Sequence, residues 1–61
     1  MTLREWRIKK GYPLWKVAEL AGKKAVQDIS NFEARGIKSY RQRDLFTKIS
    51  DGEITDFSGE G

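Results

Sequence analysis

The chain contains no cysteine and no histidine. Disulfide staples, zinc-finger ligand sets, thiol nucleophiles and imidazole acid–base catalysis are therefore excluded by residue count. No Gly-rich phosphate loop and no recognisable acid pair is present, and the polar residues have no base or metal to activate them. The expectation is a protein that is not an enzyme and that needs no cofactor, metal or small-molecule ligand. No apolar run approaches the roughly 20 residues that span a bilayer. The opening Met1-Thr2-Leu3-Arg4-Glu5-Trp6 also lacks the unbroken apolar stretch of a signal peptide, so a cytoplasmic location without membrane partners is expected. Proline occurs once, at Pro13, leaving few obstacles to helices. With 61 residues there is room for one domain, which at this size hides only about 60% of the surface the unfolded chain exposes. Its stability must come from packing.

The net charge of +3 conceals an asymmetry. All 12 Lys and Arg fall within residues 1–48, against Glu5, Glu19, Asp28, Glu33 and Asp44, so that stretch carries +7. The last thirteen residues hold only Asp51, Glu53, Asp56 and Glu60, or −4. A basic body of this kind suits a phosphate-bearing partner, because each neutralised phosphate releases counterions. An ordinary lysine-rich solvated surface has the same composition.

Thr2 followed by Glu5 forms a capping-box pattern, so a first helix is expected over about residues 3–10, closed by Gly11. Pro13 suits a helix start. The second helix should run from there through Ala21, with Leu14, Val17, Ala18 and Ala21 as an amphipathic stripe that Leu20 widens, and Gly22 as its stop. After a polar turn at Lys23 and Lys24, Val26, Ile29 and Phe32 recur at helical spacing, predicting a third helix over about 25–35 that ends at Gly36. Its other face offers Gln27, Asp28, Ser30, Asn31 and Ala34. Ser39 is a plausible cap for a fourth helix through Ile49, with Tyr40, Leu45, Phe46 and Ile49 buried. Asp51-Gly52 reads as a turn. Ile54 and Phe57 are placed to pin the chain back on the core, giving a domain over residues 1–57, and 58–61 should be a disordered tail. No repeat and no alternating strand pattern appears. The fold class expected is all-α, a compact bundle of four helices, or of five.

Two short helices joined by a glycine-containing turn, the second presenting small polar side chains, fit a DNA major groove. That groove is about 12 Å wide and admits one helix. Ala18, small and mid-helix, allows the third helix to cross closely. The run Leu3 to Gly11, then Val17-Ala-Glu-Leu-Ala-Gly22, then Ile29-Ser-Asn-Phe-Glu33 and Arg35-Gly36, resembles the lambda-repressor-like helix-turn-helix proteins, Cro and phage or bacterial repressors, over roughly residues 3–50.

The resemblance implies a transcriptional regulator that binds a double-stranded operator as a homodimer, with the third helix in the major groove. It implies base reading by Lys24, Gln27, Ser30 and Asn31. Gln and Asn amides can each donate and accept, which matches adenine. It implies phosphate contacts from Trp15, Lys16, Lys23, Lys38, Tyr40 and Arg41, which would set affinity and register. Arg43, Lys9 and Lys10 are left as ordinary surface charges. An ion pair between Arg7 and Glu33 is implied, against the alternative of two separate surface charges. Dimer contacts are expected from Ile49, Ile54 and Phe57.

Two stretches depart from the family pattern. Pro13-Leu14 stands where a capping hydroxyl and a phosphate-binding Gln are usual, and Gly22-Lys23-Lys24-Ala25 is one residue longer than the usual turn, which would move the reading residues by one position. Other readings of the same residues are a protein-binding adaptor such as an antitoxin or antirepressor, using the acidic Asp51–Glu60 stretch, and an excisionase-like architectural protein, suggested by Thr2-Leu-Arg-Glu-Trp6. A single-strand stacking platform of Trp6, Trp15, Phe32, Phe46 and Phe57 is a further alternative. Helical spacing instead places Trp6, Phe32 and Phe46 in the core and leaves Trp15 exposed.

Overall fold

A computed structural model describes residues 1–22 and 25–59; Lys23 and Lys24, expected in the polar turn, and Glu60 and Gly61, in the expected tail, lie outside the described residues. The described backbone forms four helices and no strand: α1 (Leu3–Lys10), α2 (Leu14–Leu20), α3 (Val26–Arg35) and α4 (Tyr40–Ile49).

Local chemistry accounts for the boundaries. Glu5 N–H donates to Thr2 Oγ1 at 3.2 Å and Thr2 N–H to Glu5 Oε1 at 2.8 Å, a complete capping box. Gly11, at φ +73°, takes the left-handed position that closes α1. Pro13 is the N-cap of α2 and not its first residue, because its extended backbone lets its carbonyl accept from the Lys16 and Val17 amides. Ala25 plays the corresponding part for α3. Ser39 stands at the N-cap of α4, yet its hydroxyl makes no capping bond and its carbonyl accepts from the Arg43 amide at 2.9 Å.

The core gathers Leu3 and Trp6 from α1, Val17 and Ala18 from α2 with Ala21 just beyond it, Ile29 from α3, Phe46 from α4, and Ile37 and Ile54 from the connecting and terminal segments. Edge-to-face contacts join Trp6 to Tyr12 and Phe32 to Phe46, an arrangement that aromatic quadrupoles favour. Three expected members lie outside it. Tyr40 is 83% exposed, its ring lying against the Arg43 guanidinium; Val26 and Leu20, flanking the α2–α3 turn, are also exposed.

After α4 the chain reverses on Ser50. This buried hydroxyl donates to the Phe46 carbonyl at 2.6 Å and accepts from the Ile54 amide at 3.1 Å. Asp51 and Gly52, both at positive φ, complete the turn. The returning segment is extended: Ile54 enters the core, Thr55 and Asp56 amides donate to the Met1 carbonyl, and the Ile37 amide donates to the Phe57 carbonyl at 2.8 Å. Ser58 and Gly59 do not belong to a disordered tail. Ser58 bridges to Gly36, and Gly59 lies so close to the end of α3 that a Cβ there would collide with the Ala34 carbonyl. The ordered domain thus extends past residue 57, because backbone pairing holds a stretch that composition alone marks as loose.

Candidate nucleic-acid interface

The helix pair α2–α3 is set by small residues. Ala18 in α2 and Ala21 just beyond it add little bulk to the backbone and are buried beside Val17, and α3 packs against α2 with Ile29 fully buried. At about 100° per residue, a helix that turns Ile29 and Phe32 inward must turn Gln27, Asn31 and Ala34 outward, with Ser30 to one side. Gln27 and Ala34 are exposed, and Ser30 and Asn31 half-buried. Gln27 Nε2 donates to Asn31 Oδ1 at 3.2 Å. That one bond ties the two amides together and leaves Gln27 Oε1, an acceptor, and Asn31 Nδ2, a donor, without a partner among the described residues. Asp28, also exposed, makes no ion pair among the described residues. The base-reading candidate Lys24 and the phosphate candidate Lys23 lie outside the described residues.

The orientation of α3 against α1 is fixed by charge. Arg7 Nε donates to Glu33 Oε2 at 2.6 Å and Nη2 to Oε1 at 3.3 Å, a two-pronged pair, while Nη1 donates to the Tyr12 carbonyl at 3.1 Å. The two side chains are 18% and 11% exposed. Such a pair ties three elements at once.

Seven of the other described cations sort into two groups. Lys9 and Lys10 reach Glu53 at 2.8 and 3.5 Å, and Lys48 reaches Asp44 at 3.0 Å on its own helix. Lys16, Arg35, Lys38 and Arg41 make no ion pair among the described residues, so their charge remains available. Lys38, Tyr40 and Arg41 are exposed together where α3 passes into α4; Trp15 is 59% exposed at the start of α2, beside half-buried Lys16. Arg35 was not among the candidate residues, and only its lack of a partner draws notice to it.

The acidic end of the chain is largely occupied by its own fold. Glu53 also accepts from Trp6 Nε1 at 3.2 Å. The Lys9 hydrogen bond, outweighing partial desolvation and joined by the charges of Lys10 and Lys9, holds its carboxyl below the ordinary glutamate value. The Ser58 hydroxyl and amide likewise hold Asp56 below the ordinary aspartate value.

The three candidate dimer contacts fare differently. Ile54 is 1% exposed and is a core residue, with no free face for a partner. Phe57 is half-buried under the Arg43 guanidinium. Ile49 is half-buried and lines an open groove of about 420 Å³ with Trp6, Lys10, Tyr12, Ser50, Asp51 and Glu53.

No helix among the described residues is long and apolar enough to cross a membrane. No family model, curated protein or solved structure matches this chain.

Proposed function

We propose that this chain is a sequence-specific, double-stranded DNA-binding transcriptional regulator of the lambda-repressor-like, helix-turn-helix kind, acting from the cytoplasm and placing α3 in the major groove of an operator half-site. The observation that carries this reading is the α2–α3 pair. Ala18, Ala21 and Ile29 sink one side of it into the core, and the opposite side of α3 offers Gln27 and Asn31 joined by a hydrogen bond, flanked by Ser30 and Ala34. Gln and Asn amides, each able to donate and accept, suit the N6 and N7 edge of adenine, and a good bidentate pair discriminates by about 1–3 kcal/mol. Holding the amides together beforehand lowers the entropy lost on binding.

The distribution of charge supports the same reading. Lys9, Lys10 and Lys48 are spent on Glu53 and Asp44, whereas Lys16, Lys38 and Arg41 remain for phosphates. One such helix covers too few base pairs to be specific alone, so the operator is bound by a homodimer with half-sites about one helical turn apart. The adaptor reading has less in its favour, since Glu53 and Asp56 already hold internal partners. The excisionase-like reading needs a β-hairpin wing, and the described residues form no strand pair.

The test compares base preferences of Asn31→Ala and Arg41→Ala. Asn31→Ala should relax preference at one or two positions at a cost of about 1–3 kcal/mol, while Arg41→Ala weakens all sequences alike and lowers the salt slope. Unchanged preference in Asn31→Ala overturns the assignment of the reading face.

A further inference from the structure

Arg43 is built into its place more firmly than a surface charge requires. Its Nε donates to the Ile37 carbonyl at 2.6 Å. Its guanidinium carbon lies 5.5 Å from the centre of the Tyr40 ring and 5.6 Å from that of Phe57, both within the range of cation–π attraction. Ile37 is itself held from the other side, its amide donating to Phe57 O, and next to it a Cβ on Gly36 would stand 2.7 Å from that same carbonyl oxygen. Three segments, the α3–α4 connection, the first turn of α4 and the returning C-terminal strap, therefore converge on one guanidinium. No carboxylate pairs with it among the described residues, and its two terminal nitrogens donate to no acceptor there.

A guanidinium held by Nε and by ring faces keeps the planar fork of its terminal N–H groups in a fixed direction, the geometry that grips an oxyanion bidentately. The exposed neighbours Lys38, Tyr40 and Arg41 add two cations and a phenolic O–H in the same short stretch. We propose that Arg43 is a preformed grip for one phosphodiester of the DNA backbone, positioned by the Phe57 strap, so that the C-terminal segment sets how the duplex seats against α4. This rests on the DNA-binding reading above.

The experiment measures affinity for a selected duplex across a salt series, using the full chain and its Arg43→Gln and Arg43→Lys variants. Each duplex is also prepared with a single neutral methylphosphonate at successive backbone positions. Arg43→Gln should weaken binding roughly tenfold and reduce the slope of log affinity against log salt by about 0.9, the value for one lost phosphate contact. One methylphosphonate position should cost the wild type roughly tenfold and cost Arg43→Gln almost nothing, because the contact is already absent. Arg43→Lys, which keeps the charge without the fork, should retain the slope and lose less affinity. Comparison at a temperature where thermal melting shows every variant folded separates a bracing role from a contact. A bracing role alone would leave the methylphosphonate profile and the salt slope of the variants equal to those of the wild type, and that result overturns the proposal. If the wild type binds no duplex, the DNA-binding reading falls and this one with it; if it binds and the profiles coincide, only this one falls.

Discussion

Arg7 carries three N–H donors into a junction where water has little access, and the consequences of removing it can be worked out. Two donors meet Glu33 and one the Tyr12 carbonyl. Breaking a fully buried ion pair by deleting one partner costs about 3–5 kcal/mol, because the other charge is left uncompensated. With side-chain exposures of 18% and 11%, the lower end applies, about 3 kcal/mol for either single change to alanine. Arg7→Ala should exceed Glu33→Ala, since it also strands the Tyr12 carbonyl. A domain of 61 residues is stable by about 3–9 kcal/mol, so each variant forfeits a large share, equivalent to about 12–24 °C in melting temperature. The double variant leaves no orphaned charge and should cost about 4 kcal/mol, a coupling near 2 kcal/mol. Urea titration in a stabilising osmolyte keeps the weakest variant measurable. In a Trp15→Phe background the fluorescence reports buried Trp6 alone. Additivity within about 0.5 kcal/mol would refute the claim that this pair holds α1 to α3.

Other perturbations follow from the same geometry. The Glu53 carboxyl is held below its ordinary value, chiefly by the Lys9 hydrogen bond, so its contribution to stability is complete above that ordinary value and fades as pH falls through the lowered one. The stability difference between wild type and Glu53→Gln should accordingly be flat near neutrality and shrink in acid; a difference that grows in acid contradicts the assignment. Gly36, at φ +90°, has no room for a Cβ between Phe57 O at 2.7 Å and Gly59 N at 2.8 Å. Gly36→Ala should cost about 2–3 kcal/mol in denaturant titration through strain and displacement of the strap. Ile54→Ala should cost about 2–5 kcal/mol of stability, as a core deletion does, and leave the mass of the DNA-bound species unchanged in sedimentation.

The helices were legible because their signals are local. Thr2 with Glu5, Gly11, the Val17-Ala18-Ala21 stripe and the spacing of Ile29 and Phe32 each depend on residues within a turn or two of one another. What escaped depended on contacts distant in sequence. Ser58 and Gly59 read as a loose end, and only pairing with Gly36 and the close approach to Ala34 fixes them. Tyr40 has the apolar character of a core residue, but a guanidinium on its own helix holds it outside. Ile37 sits between helices with no periodicity to mark it, although it is 1% exposed. For the candidate interface, the polar face of α3 was readable from spacing, because turning Ile29 inward forces Gln27 and Asn31 outward. Which cations remain free was not readable, since that depends on where Glu53 folds back onto Lys9 and Lys10.

Whether α3 reads a DNA sequence is measured by selecting bound duplexes from a random pool at about 150 mM salt and then titrating the winner against scrambled DNA. Sequence reading by α3 should yield an inverted repeat with half-site centres about one helical turn apart, bound at least about a thousandfold more tightly than the scramble. Absence of enrichment, or binding that disappears with added salt regardless of sequence, would contradict it.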